Sequence, residues 1–162
     1  QWIRLDQTLK SLAQYADYPD DVKILLGEMF AAVTMVADNL KFSGAVSLQS
    51  KGDGALTRSL AECRDQHYLR GIAHVATDKA ADIRSSNLAD WLGNGQLALS
   101  LLPDKSTRMN PYQGLVEIDP AGLAASLEGY FQNSEQLQTR LHFASLDGTT
   151  TGLLLQRLPD GS

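Results

Sequence analysis

The sequence predicts an α+β fold, mainly antiparallel sheets with hairpins, packed by about four helices. Three observations carry that prediction. Stretches of two-residue apolar period are joined by short turns such as Gly52-Asp53-Gly54 and Asp147-Gly148. Other stretches, above all Val22 to Leu40, keep the helical period instead. Helices and strands also interleave irregularly, which disfavours a parallel doubly wound sheet.

Taken in order, Trp2-Ile3-Arg4-Leu5 alternates and reads as a short strand. Thr8 caps a first helix whose apolar side is Leu9, Leu12 and Tyr15-Ala16, stopped by Asp17-Tyr18-Pro19. Asp20 or Asp21 opens the second helix, which carries Val22, Leu25-Leu26, Met29-Phe30, Val33, Val36 and Leu40. That stripe is wide, so the helix should lie against a sheet. From Ala45 the period becomes two. Gly52-Asp53-Gly54 is expected to supply the positive-φ positions of a tight hairpin, with Leu56 to Cys63 as the return strand. Asp65-Gln66 turns into His67 to Val75, completing a three-stranded meander, and Asp78 to Asp82 is expected to be a loop.

Ser85 or Ser86 is expected to cap a short helix through Trp91-Leu92, closed by Gly93. Leu97, Leu99 and Leu101 then share one face of a strand, and Lys105 to Asn110 is a polar connection. Gln113 to Ile118 has branched apolar residues on both faces, which suits a covered strand. Asp119 is placed to cap the next helix with Pro120 in its first turn, and Leu123, Leu127, Tyr130 and Phe131 form its apolar side as far as Asn133-Ser134. Leu141-His142-Phe143 and Leu153 to Leu158 are the last strands, about eight in all. Pro159-Asp160-Gly161-Ser162 reads as the exit into a linker.

A chain of 162 residues is one domain's worth. Hydrophobic content of 43% with 20% charged residues is ordinary for a globular protein. No apolar run approaches the roughly 20 residues a membrane span needs, and no secretory signal is visible. The chain opens on Gln1 rather than Met and is expected to be a fragment. A net charge of −5 with scattered basic residues argues against nucleic acid as a partner. A single cysteine excludes an intramolecular disulfide and fits a reducing cytoplasm.

Catalytic and metal chemistry find little footing. His67 and His74 fall on opposite faces of one continuous strand, and His142 has no ligand at metal spacing, so surface or hydrogen-bonded histidines are expected. Cys63 in its strand reads as a small buried hydrophobe. There is no Gly-x-Ser-x-Gly elbow, and neither Gly52-Asp53-Gly54 nor Gly93-Asn94-Gly95 continues into a phosphate-binding Lys-Ser or Lys-Thr. Glu28, Asp38, Glu117 and Glu128 form no obvious acid/base pair. What stands out is apolar surface. Leu153-Leu154-Leu155, and Leu115-Val116 with Ile118, place apolar side chains on both faces of late strands. With one helical layer such strands leave a face bare; a second layer inside the domain would cover it.

A set of collinear motifs runs along the chain: Asp17-Tyr18-Pro19 with Leu25-Leu26-Gly27-Glu28, Leu40-Lys41-Phe42-Ser43-Gly44 with Gln49 and Gly52-Asp53-Gly54, then Ala61-Glu62-Cys63 and Arg70-Gly71. Gly93-Asn94-Gly95-Gln96-Leu97, Tyr112-Gln113-Gly114, Ser134-Glu135-Gln136-Leu137 and Gly152 to Pro159 follow. In residues and order the set resembles the redox-regulated thirty-three-kilodalton heat-shock holdase family, ATP-independent bacterial chaperones. The resemblance implies that residues 1–162 are the N-terminal substrate-binding and dimerisation core. It also implies a regulatory linker and a zinc domain with a Cys-x-Cys and Cys-x-x-Cys site, both absent here. No cofactor is expected in this chain. Unfolding client proteins are the implied partners, with a homodimer as the active form, a cytoplasmic location and no enzymatic activity. In the family the lid formed by linker and zinc domain covers a hydrophobic face until oxidation uncovers it.

On that reading the client-contacting residues are expected to be Leu97, Leu99, Leu115, Leu153 and Leu155, lining one open face. Two other classes compete. A small α+β enzyme would need a convergent nucleophile or acid/base pair, for example Cys63 beside a histidine. A pure dimerisation scaffold would self-associate without binding clients, and it gives no reason for apolar residues on both faces of the late strands.

Overall fold

The computed structural model describes residues 2–5 (2, 3 and 5 by backbone only), 17–40, 43–66, 68–106, 108–134, 136 and 138–158. In chain order these form β1 (Trp2–Leu5), α1 (Asp20–Leu40), β2 (Gly44–Gly52), β3 (Leu56–Arg64), β4 (Tyr68–Val75), α2 (Thr77–Ala80) and α3 (Leu88–Leu92). β5 (Gly95–Pro103), β6 (Tyr112–Val116), α4 (Leu123–Ser134), β7 (Thr139–Leu146) and β8 (Thr149–Gln156) complete the set. The fold is α+β, as the patterning predicts. The expected helix from Thr8 to Ala16 lies outside the described residues.

The strands make two antiparallel sheets, one of five strands in the order β4-β3-β2-β5-β6 and one of three in the order β1-β8-β7. The smaller sheet joins the first strand to the last, Trp2 opposite Leu153 and Leu5 opposite Thr150. α1 lies between them, touching β2, β3 and β4 on one side and β1, β7 and β8 on the other. That position explains its composition. Leu25, Leu26, Met29, Phe30, Ala31, Ala32, Val33 and Met35 are all buried, because a helix flanked on two sides must be apolar most of the way round. Asp20 and Asp21 sit in its first turn, where carboxylates offset the helix dipole. α4 bridges the sheets at one end, against β6 and β7, through Leu123, Leu127, Tyr130 and Phe131.

Small residues mark the face of the larger sheet that meets α1. A side chain at Gly71 would collide with the ring of Phe30. Ser59 donates to the Met29 sulfur at 3.5 Å and also bonds Ser50, so both buried hydroxyls are satisfied under the helix.

Several local expectations need correction. Neither Gly52 nor Gly54 has positive φ. Their glycines are required by close approach instead, since a Cβ at Gly54 would lie 2.5 Å from the Trp91 carbonyl oxygen and one at Gly52 would strike that of Leu92. The hairpin tip is thus docked on α3, with Gly54 donating to the Leu92 carbonyl (2.8 Å) and Asn94 donating to Asp53 Oδ1 (2.8 Å). α3 is capped by Asn87, whose Oδ1 accepts from Ala89 N–H at 2.9 Å, rather than by Ser85 or Ser86. Asp119 closes the turn before α4 by accepting from Ala121 N–H (2.8 Å), and the helix starts only at Leu123 after Gly122 at φ 121°. The expected loop from Asp78 to Asp82 contains part of a single helical turn, Thr77–Ala80. β6 ends at Val116 and forms an edge of the sheet rather than a covered strand.

Candidate interaction surface

The five leucines do not share a face. Leu97 and Leu99 point from β5 towards the helices and are 0% and 4% exposed. Side chains on the same row across an antiparallel sheet share a face, and Leu115 pairs with Ala98, between those two, so it projects to the opposite side and is 68% exposed. Leu153 and Leu155 belong to the other sheet, where they lie across from His142 and Arg140. They face away from the buried side of β8 set by Thr150, Gly152 and Leu154. Leu153 is half-buried, and Leu155 is 52% exposed. The expectation of one open face fails because the register sets Leu115 opposite Ala98, so odd positions of β5 and β6 face opposite sides, and because β8 belongs to the other sheet. Leu99 does reach an apolar seam of about 560 Å³, where it meets Leu40, Tyr112, Phe131 and Leu154 at the junction of the sheets.

The outer face of the larger sheet carries a row that is apolar except for Gln49 at its centre, with its two ends exposed. Registers run Ile72–Leu60–Gln49–Ala98–Leu115 across all five strands. A second row joins Tyr68, Arg64, Ala45 and Leu102. Ile72, Tyr68, Leu102 and Leu115 are all exposed. Among the described residues the helices contact the other face: α1 through Phe30 at Gly71, α3 at Gly52 and α4 through Tyr130 at Gly114. Sequence reasoning missed Tyr68, Ile72 and Leu102, since β4 alternates apolar residues on both sides. The usable signal is size, with Gly71 and Ala73 on the helix side and Tyr68 and Ile72 on the open side.

At the centre of this outer face Glu62 is buried and held by Arg70 (3.2 Å) and Arg64 (3.8 Å). Arg64 also reaches Asp104 at 3.7 Å. Ser100 accepts from the Gln113 side chain at 3.3 Å. A polar band therefore runs beside the apolar rows.

Cys63 faces the interior beneath α1. Burial pushes its thiol upward, with the Thr34 hydroxyl acting the other way and the Asp65 and Glu62 charges adding to the rise, which suits an unreactive core cysteine. His74 is exposed on β4 and His142 on β7, while His67 lies outside the described residues. Among the described residues no three His, Cys, Asp or Glu side chains converge as metal ligands, and the single cysteine cannot furnish a four-thiolate zinc site. No helix among them is long and apolar enough to cross a membrane.

The architecture is shared with a solved structure, the 33 kDa chaperonin (heat shock protein 33 homolog) of Thermotoga maritima. The TM-score is 0.72 at 16% identity, covering 93% of this chain and 55% of that one. The class of protein is therefore the heat-shock-protein-33 fold. The Hsp33 protein family matches residues 1–162, and the chain belongs to that family. Among curated relatives named 33 kDa chaperonin, that of Shewanella denitrificans is 36% identical over 159 residues, and that of Cronobacter sakazakii 37% identical over 161. The alignments cover 98% and 97% of this chain but 53% of each relative, so the chain spans about half their length.

Proposed function

We propose that residues 1–162 form the client-binding core of an ATP-independent holdase, a chaperone that captures unfolding proteins and makes or breaks no bond. Family membership and the relatives' name support a chaperone role. The observation that carries the reading is the row from Ile72 to Leu115, apolar but for Gln49, on the face opposite the described helices. Burying apolar surface yields roughly 25 cal/mol per Å². A few hundred Å² of contact therefore offsets much of the cost of association and leaves capture reversible. The guanidinium groups of Arg64 and Arg70, both solvent-facing, keep the unoccupied face hydrated.

The finer points rest on the same reading. Clients are unfolded or misfolded proteins, the working form is a homodimer in the cytoplasm, and nucleic acid is not a partner of a chain with net charge −5. The oxidant-sensing zinc site of the family needs cysteines that this chain does not carry. Capture by residues 1–162 should therefore be independent of oxidant. Light scattering of a thermally unfolding client, with and without hydrogen peroxide, tests this. Equal suppression in both supports the proposal; suppression that appears only with peroxide, or none at all, contradicts it.

A further inference from the structure

Four strands end the two sheets among the described residues, β4 and β6 in the larger, β1 and β7 in the smaller. Unpaired amides and carbonyls along an edge recruit another strand unless charge or proline blunts it. β4 carries Arg70 and His74, β7 carries Arg140 and His142, and β1 carries Arg4. β6, Tyr112-Gln113-Gly114-Leu115-Val116, carries neither charge nor proline, and Leu115 stands exposed within it. Two clefts open at the end of the strand, meeting β6 only at Leu115 and Val116 and running along its continuation to Pro120, where Glu117 borders both. One of about 540 Å³ opens towards the Gly93–Gln96 turn. The other, of about 390 Å³, lies against α4 and is bordered by Ala125 and Gly129.

We propose that β6 is the strand onto which a captured client adds, an extended segment of unfolded polypeptide pairing its main chain with the outer edge of β6 and setting side chains into the two clefts. This rests on the holdase reading and specifies how the client is held. Main-chain pairing is indifferent to sequence, as a chaperone of many clients requires, while the clefts, lined by Leu115, Val116 and Ile118 together with Glu117 and Asp119, admit apolar and cationic side chains alike. Charge separates β6 from the other three edges, where a cationic side chain must be desolvated or displaced before a strand can add. The occupant is a chain without structure of its own, since a folded strand brings its sheet with it and cannot enter the clefts at the end of β6.

Amide hydrogen exchange of residues 1–162, alone and with reduced, carboxymethylated α-lactalbumin as a permanently unfolded client, tests the proposal. Amides of 112–116 should slow on binding while those of β4 stay unchanged. Gln113→Lys, which adds an edge charge and removes no apolar surface, should weaken capture by about fivefold or more, as expected from losing a net bond or two. His74→Gln on β4, at a residue outside both rows, should not weaken it. A bound client with unchanged exchange at β6 overturns the edge assignment and leaves the holdase reading standing. Protection of β6 that grows with protein concentration and without client assigns the edge to a second copy, and likewise overturns it. Failure to retain the client at all overturns both.

Discussion

At the scale of single residues, Glu28 has the largest consequence for the behaviour of the fold. It sits on α1 between the sheets, and burial raises its carboxyl from 4.5 to about 7. Between those values the folded chain holds a proton that the unfolded chain has released. The neutral carboxyl's contribution is complete below pH 4.5 and is lost as pH rises through about 7. A shift of this size corresponds to about 3 kcal/mol. Glu28→Gln should therefore flatten the fall in stability across that window and raise stability at pH 8, by an amount approaching that figure; chemical denaturation at pH 4.5 and pH 8 measures it. Asp53 behaves oppositely, since the Asn94 backbone amide and side chain hold its exposed carboxylate below the usual value. Residue-level chemistry was legible where it depended on type alone, as for buried Cys63. It was not legible where it depended on neighbours. Nothing in Leu25-Leu26-Gly27-Glu28 shows that the helix has a sheet on each side.

At the scale of elements, the β2–β3 hairpin and α3 form one joint, fastened by Gly54 N–H on the Leu92 carbonyl and by Asp53 on Asn94. Lys79 adds a bond from α2 to the Asp53 carbonyl at 2.9 Å. Gly52→Ala would push a methyl group into the Leu92 carbonyl. It should cost about 1–3 kcal/mol, the usual penalty of overpacking, and thermal unfolding reads it directly. Periodicity identifies α1, α4 and β2 because each follows one apolar rhythm, while turn residues such as Asp65-Gln66 mark off β3 and β4, whose rhythm is broken. It failed at caps and turns. Asn87 rather than a serine caps α3, and Asp119 closes a turn before α4, because those choices depend on where the preceding strand delivers the chain. Gly52-Asp53-Gly54 is a turn whose glycines answer to close approach rather than positive φ, two demands that leave the same mark in a sequence.

At the scale of the molecule, two sheets share one central helix, and the larger sheet keeps a face away from it. Positions on the two sides should respond differently to the same change. Leu97→Ala, in the core, should cost about 2–5 kcal/mol, whereas Leu115→Asp, on the open face, should leave thermal unfolding nearly unchanged and reduce client capture in the light-scattering assay. Unfolding of the Leu115 variant would contradict its placement on that face. Alternation predicted that apolar residues point both ways from the late strands but not which way each points, because facing is fixed by register across strands that are distant in sequence. The pairing of Trp2–Leu5 with β8 sets an order of assembly. On a chain emerging from the ribosome the larger sheet has all its strands once Val116 is out, while the opening segment must wait for the last strand to be made. The greasy row is thus built before the molecule can close its own ends, and the unfinished domain already carries the surface by which the finished one would hold others.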